Sequence, residues 1–104
     1  DRFIELQGAP ELVVEIVSDS SINKDTQRLP PAYWRAGIPE FWLVDARGDD
    51  LRFHIHRRGP AGYEPAPVNA DGFQYSEVFK TSFRLSRYRH AQTGLWAYTL
   101  SVDN

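Results

Sequence analysis

Glu11-Leu12-Val13-Val14-Glu15-Ile16-Val17 is a nearly continuous apolar run in which Val13, Val14, Ile16 and Val17 are β-branched. Branching at Cβ favours the pleated strand. A run without polar alternation predicts a strand covered on both faces, as in a parallel sheet. Gly8-Ala9-Pro10 punctuates its start, and Ser18-Asp19-Ser20-Ser21 ends it with residues that favour turns and helix caps. A second run, Glu40-Phe41-Trp42-Leu43-Val44-Asp45, has the same character. Residues 18 to 39 separate the two, 22 in all. That length suits a right-handed parallel crossover with its helix, so the runs are expected to be neighbouring parallel strands.

The crossover helix is expected within Ser21 to Ala36, and Pro30-Pro31 restricts it. A proline in a helix interior costs roughly 3 kcal/mol or more, whereas the first turn accepts it. Two helices satisfy this: a short one from Pro31 to Ala36, or a longer one broken near Leu29. Tyr33 and Trp34 would pack it on the sheet, and Gly37 with Pro39 would end it. After the turn Arg47-Gly48-Asp49-Asp50, residues 51–58 alternate. Leu51, Phe53 and Ile55 fall on one face, and Arg52, His54 and His56 on the other, as in a half-buried antiparallel strand. Gly59-Pro60-Ala61-Gly62 turns the chain, and Tyr63 to Phe79 predicts only short strands. Ser82 to Arg89 alternates loosely, with Phe83, Leu85 and Tyr88 set against Arg84, Arg87 and Arg89. Gln92-Thr93-Gly94 turns again, and Leu95 to Val102 is a last strand. The expected class is α+β: a mixed β-sheet with a βαβ crossover, followed by antiparallel hairpins.

The chain has 104 residues, 41% hydrophobic and 25% charged, which suits one small domain. No apolar run approaches the roughly 18 residues of a membrane span. The absence of Cys removes disulfides, thiolate metal sites and Cys nucleophiles. Residues 1–50 hold ten acids and five bases, and residues 51–104 hold four acids and seven bases. The halves therefore carry about -5 and +3, which can mean a cation-holding half and a phosphate-facing half, or solvated faces of two signs. Met is absent and the chain opens Asp1-Arg2-Phe3, so a processed chain or part of a longer domain is expected.

Glu15 is the sharpest candidate, because a carboxylate in an apolar strand is costly to bury unless paired, hydrogen-bonded or metal-bound. It is a metal ligand or general base, or it pairs with a nearby Lys or Arg. Asp45 ends the second strand at the sheet edge where open α/β sheets place ligands, or it bonds its own backbone in a turn. Lys24, Asp25 and Arg28 follow the first strand, as site charges or as helix-surface charge. His54 and His56 could chelate a metal only with a third ligand. In Arg84-Leu85-Ser86-Arg87-Tyr88-Arg89-His90, bases interleave with an aromatic. Arg84, Arg87 and Arg89 could grip a nucleic-acid backbone, or they guard an exposed edge strand. No Gly-rich phosphate loop, nucleophile elbow or zinc-type His motif is present.

The stretch from Gly8 to Ser18, then Asp25, then Tyr33-Trp34-Arg35-Ala36-Gly37-Ile38-Pro39-Glu40-Phe41-Trp42-Leu43-Val44-Asp45 resembles the Uma2 family (DUF820), bacterial proteins of the restriction-endonuclease-like superfamily. The resemblance spans roughly residues 5 to 60, and leaves 61–104 as a β-rich extension of a single, partial domain. It implies a PD-(D/E)xK core and a metal-dependent phosphodiesterase site. Two acids on adjacent strands would hold Mg²⁺, and a Lys would position the nucleophile. Glu15 falls on the strand acid. The Lys position, four residues after Asp25, is Leu29 here, and Lys24 and Arg28 are the nearest bases. The other acid belongs to a preceding strand farther upstream than residue 1. A cytoplasmic protein with DNA as its partner is implied.

Three expectations follow. The chain is the C-terminal part of an Mg²⁺-dependent DNA endonuclease fold, inactive as this stretch alone. Or it is a catalytically degenerate module of the same fold that binds a partner or forms a homodimer, as the Leu29-Pro30-Pro31 departure suggests. Or the basic second half is a nucleic-acid-binding β-module.

Overall fold

Side-chain alternation and strand pairing together sort the first half of the chain into two faces. A computed structural model describes residues 11–17 and 29–103. Strand β1 (Leu12–Val17) pairs in parallel with β2 (Glu40–Asp45), from Leu12 opposite Glu40 to Val17 opposite Asp45. Strand β3 (Arg52–Arg58) runs antiparallel to β2, and β4 (Tyr63–Pro65) antiparallel to β3. The parallel neighbours and the alternating third strand are as the sequence predicts. Paired residues share a face. One face therefore carries Val13, Glu15, Phe41, Leu43, Asp45, His54 and His56; the other carries Leu12, Val14, Ile16, Glu40, Trp42, Val44, Phe53 and Ile55.

The first face is covered by α1 (Leu29–Arg35). Pro30 and Pro31 occupy the first turn of this span, where no intrahelical donor is needed; what precedes Leu29, including the break expected near it, lies outside the described residues. It ends in a Schellman cap: Ile38 N donates to Tyr33 O, Gly37 N donates to Trp34 O, and Gly37 takes φ +80°. Ile38, just beyond, is buried.

The second face is covered by a three-stranded antiparallel sheet of β5 (Gln74–Ser76), β6 (Thr81–Arg89) and β7 (Trp96–Asp103), with β6 in the centre. Phe83 and Leu85 of β6 reach Trp42, Phe53, Ile55 and Ala66 to form the core. Trp42 and Phe83 lie 5.0 Å apart, and Trp42 and Phe53 meet edge to face at 5.5 Å. Each large side chain buried this way stabilises the fold by about 1.5–3 kcal/mol.

Two polar side chains join the sheets. Gln74 stands in for a strand residue where β4 stops: its Oε1 accepts from Ile55 N at 2.7 Å and its Nε2 donates to Phe53 O at 2.7 Å. Glu40, 1% exposed, accepts from Trp42 Nε1 (2.7 Å), Ser76 Oγ (2.6 Å) and Glu77 N (2.9 Å).

Two expectations need correction. Strand β1 is not covered on both faces, since Val14 is 48% and Ile16 69% exposed. Among the described residues it is the outer strand of its sheet, and the β6 side chains converge on Trp42 and Phe53 farther in. Strand β6 is central, so its arginines do not guard an edge. Its pairing also sets Arg87 and Arg89 on the face of Phe83, opposite Tyr98 and Trp96, while Tyr88 shares the other face with Arg84.

Candidate functional site

The helix-covered face of the first sheet gathers the groups that could do chemistry. Glu15 stands one strand from Leu43 and two from His54. It is half-buried, and its carboxylate accepts from the Tyr33 hydroxyl of α1. No Lys or Arg of the described residues pairs with it. One hydrogen bond leaves a carboxylate with acceptor capacity to spare.

Its neighbours on the same face are otherwise engaged. Asp45 Oδ1 accepts from Arg47 N (3.1 Å) and Nε (2.9 Å), and Oδ2 from Nη2 (2.9 Å). This is both the backbone-bonded turn and a two-pronged ion pair, and it holds the Asp45 carboxyl down at about 2. His54 lies two strand spacings from Glu15, about 9.6 Å between backbones. His56 stacks on Phe41 at 4.7 Å; its Nδ1 is buried without a partner, and burial, then the charge of His54, pushes its pKa down. Among the described residues no group of three or more His, Cys, Asp or Glu is placed to hold a metal. Glu15 thus fits as one hard-oxygen ligand for a divalent cation, without companions on the described face.

Helix α1 is fastened beside Glu15 by its aromatic residues. Tyr33 meets Phe41 at 6.1 Å. Trp34 Nε1 donates to Gly59 O at 2.7 Å, and Arg58 lies 4.2 Å over the Trp34 ring. Tyr63 donates to Ile38 O at 2.6 Å. Between α1 and the β3–β4 hairpin remains a cleft of about 590 Å³, lined in part by Trp34, Arg35, Phe41, Leu43, His56 and Tyr63.

Of the other expected site residues, Lys24, Asp25 and Arg28 lie outside the described residues. Leu29, at the position where a family Lys is expected, opens α1 and offers no donor. Arg84, Arg87 and Arg89 belong to the second sheet, and each is engaged by backbone carbonyls. Arg84 donates to Asp71 O and lies 4.5 Å over Phe73. Arg87 donates to Ala46 O, Gly48 O and Asp49 O, which ties β6 to the β2–β3 turn. Arg87 and Arg89 lie 4.1 and 4.3 Å from the Trp96 ring centroid. Sequence reasoning missed Tyr33 as the partner of Glu15, and Glu40 as a buried acceptor. The signal for Glu40 was in reach: with Trp42 and Val44 it shares the buried face of β2.

No helix among the described residues is long and apolar enough to cross a membrane. A comparison with curated proteins found no match. The model of one family, described as "Putative restriction endonuclease", matches residues 2–87. That stretch contains Glu15, α1, the parallel strand pair and most of β6, and through it the chain belongs to the Uma2 family.

Proposed function

We propose that Glu15 is a metal-ligating carboxylate of an Mg²⁺-dependent DNA endonuclease site. The observation that carries this reading is the state of Glu15: half-buried in an apolar strand, held by one phenol, and unpaired with any described cation. A carboxylate kept for structure alone at such a depth is usually paired. Tyr33 orients the Glu15 carboxylate and leaves lone pairs free. Lys24 and Arg28 are the proposed cations for the scissile phosphate. Bound Mg²⁺ would polarise the phosphate and generate the attacking hydroxide.

The test is a plasmid-nicking assay with Mg²⁺ on the full-length protein, set against Glu15→Gln. Loss of nicking in the variant, with its thermal midpoint unchanged, supports the reading; full activity in Glu15→Gln ends it. The 104 residues by themselves are expected not to cut DNA, because Glu15 is the single unpaired acid on this face among the described residues and Leu29 replaces the Lys. Mg²⁺-dependent nicking by the 104-residue chain, abolished by Glu15→Gln, would overturn that expectation.

A second reading keeps the fold as a DNA-binding or dimerising module without catalysis. Leu29 favours it, since an aliphatic side chain neither polarises water nor neutralises phosphate. DNA binding by the full-length protein, without cleavage at any divalent metal concentration, would select it.

A further inference from the structure

We propose that the cleft between α1 and the β3–β4 hairpin is a pocket for one unstacked nucleobase together with its phosphate. The proposal rests on the nuclease reading and names the form of substrate that would lie beside Glu15. The cleft is within the roughly 300–1,000 Å³ range of small-ligand sites, at about 590 Å³. Its walls offer four π systems: Trp34, Phe41, His56 and Tyr63. Three of these already pack on one another, with Phe41 stacked on His56 and edge-on to Tyr63 at 5.1 Å. Trp34 is different. The Arg58 guanidinium covers one face of its ring, and the ring also lines the cleft. The face not taken by Arg58 is the one left for a flat ring to stack on.

Charge narrows the ligand. Among the described residues no carboxylate lines the cleft, while Arg35 does. Arg35 is exposed and makes no hydrogen bond or ion pair among the described residues. Arg58, Arg84, Arg87 and Arg89, in contrast, each donate to a backbone carbonyl. An aromatic wall with a free guanidinium at its rim complements a planar group that carries an anion. Stacked bases in a duplex present no such face, so the ligand is a single strand or an extruded nucleotide. Leu43 lines the cleft and is the register partner of Glu15 on the adjacent strand, so the bound nucleotide would bring its phosphodiester toward the proposed metal ligand.

The test is equilibrium binding in EDTA, where no cleavage occurs. The whole chain is titrated with a short oligothymidylate, with the same oligomer made abasic, and with duplex DNA. Readouts are tryptophan fluorescence and the anisotropy of labelled oligomer. The oligothymidylate is expected to quench fluorescence saturably, and Trp34→Phe to remove most of the quench. The abasic oligomer should bind at least about fivefold more weakly, and the duplex more weakly than the single strand. Arg35→Gln, at an exposed and unpartnered position, should stay folded and lower the slope of log affinity against log salt by about 0.7. The pocket is refuted by a quench that survives Trp34→Phe, by equal affinity for the abasic oligomer, or by a salt slope unmoved in Arg35→Gln. Base-dependent binding, with no Mg²⁺-dependent nicking by the full-length protein, would sink the nuclease reading alone; nicking by the full-length protein without any base-dependent quench would sink the pocket alone.

Discussion

At the scale of single residues, charge is decided by what each group meets. Asp45 is held at about 2 against an ordinary 3.8 by the hydrogen bonds of Arg47, and by its backbone N–H and the nearby charges after that. A carboxyl with a lowered folded pKa adds stability that is present above 3.8 and lost as pH falls toward 2. Asp45→Asn is therefore expected to be less stable than the parent at neutral pH, with the gap closing across that window in acid-titrated thermal melts. His56 has the same sign from a different cause. Burial holds it below 6.5, so the unfolded chain takes up the proton first, and stability falls as pH drops below 6.5. His56→Phe should flatten that part of the profile, as followed by denaturant midpoints between neutral and mildly acidic pH. Glu15 shows how much a residue's type says and what it leaves open. Its place in an apolar strand marks it as exceptional, but two rival partners were equally consistent with that. The actual partner, Tyr33, is 18 positions away and visible only once α1 is laid on the sheet.

At the scale of elements, local rules were largely sufficient. Two prolines, which would break a helix interior, fit the first turn of α1, and Gly37 closes the last. Gly37→Ala meets no neighbour within 4 Å, so its effect is conformational: an L side chain at φ +80° should destabilise the protein by about 1 kcal/mol. A fall of several degrees in Tm without loss of helical circular dichroism would register it. The period of two in β3 correctly buried Phe53 and Ile55 and left Arg52 and His54 outside. The same reasoning failed on β1, because an apolar run reports that a strand could be covered, not that a neighbour arrives to cover it. It failed on β6 as well. The loose pattern hid the register, which sets Arg87 and Arg89 beside Trp96 and leaves Arg84 on the opposite face.

At the scale of the molecule, the two sheets are held by a shared apolar core and by two buried polar side chains. Glu40 supplies a carboxylate to donors from both sheets, Trp42 on one side and Ser76 and Glu77 on the other. Glu40→Gln keeps the shape but turns an amide N–H₂ donor toward groups that are themselves donors, and a lost charge-assisted bond in a buried site costs about 2–4 kcal/mol. Chemical denaturation should register that loss, and hydrogen exchange should show protection falling in both sheets together. If protection falls only in β5–β7, Glu40 secures the second sheet without coupling it to the first.

The sequence by itself determined which segments become strands, where the helix ends, that β1 and β2 run parallel, and which family the chain joins. Each of these depends on residues within a few positions of one another, or on a contiguous motif. Tertiary structure alone decided which face of β1 stays bare, which hydroxyl holds Glu15, where Glu40 and Gln74 find their partners, and that an aromatic cleft opens under α1. Those outcomes depend on groups brought together from as far as 18 to 37 positions apart. No local preference encodes them, because a buried polar or aromatic group is satisfied by whatever the rest of the fold places against it.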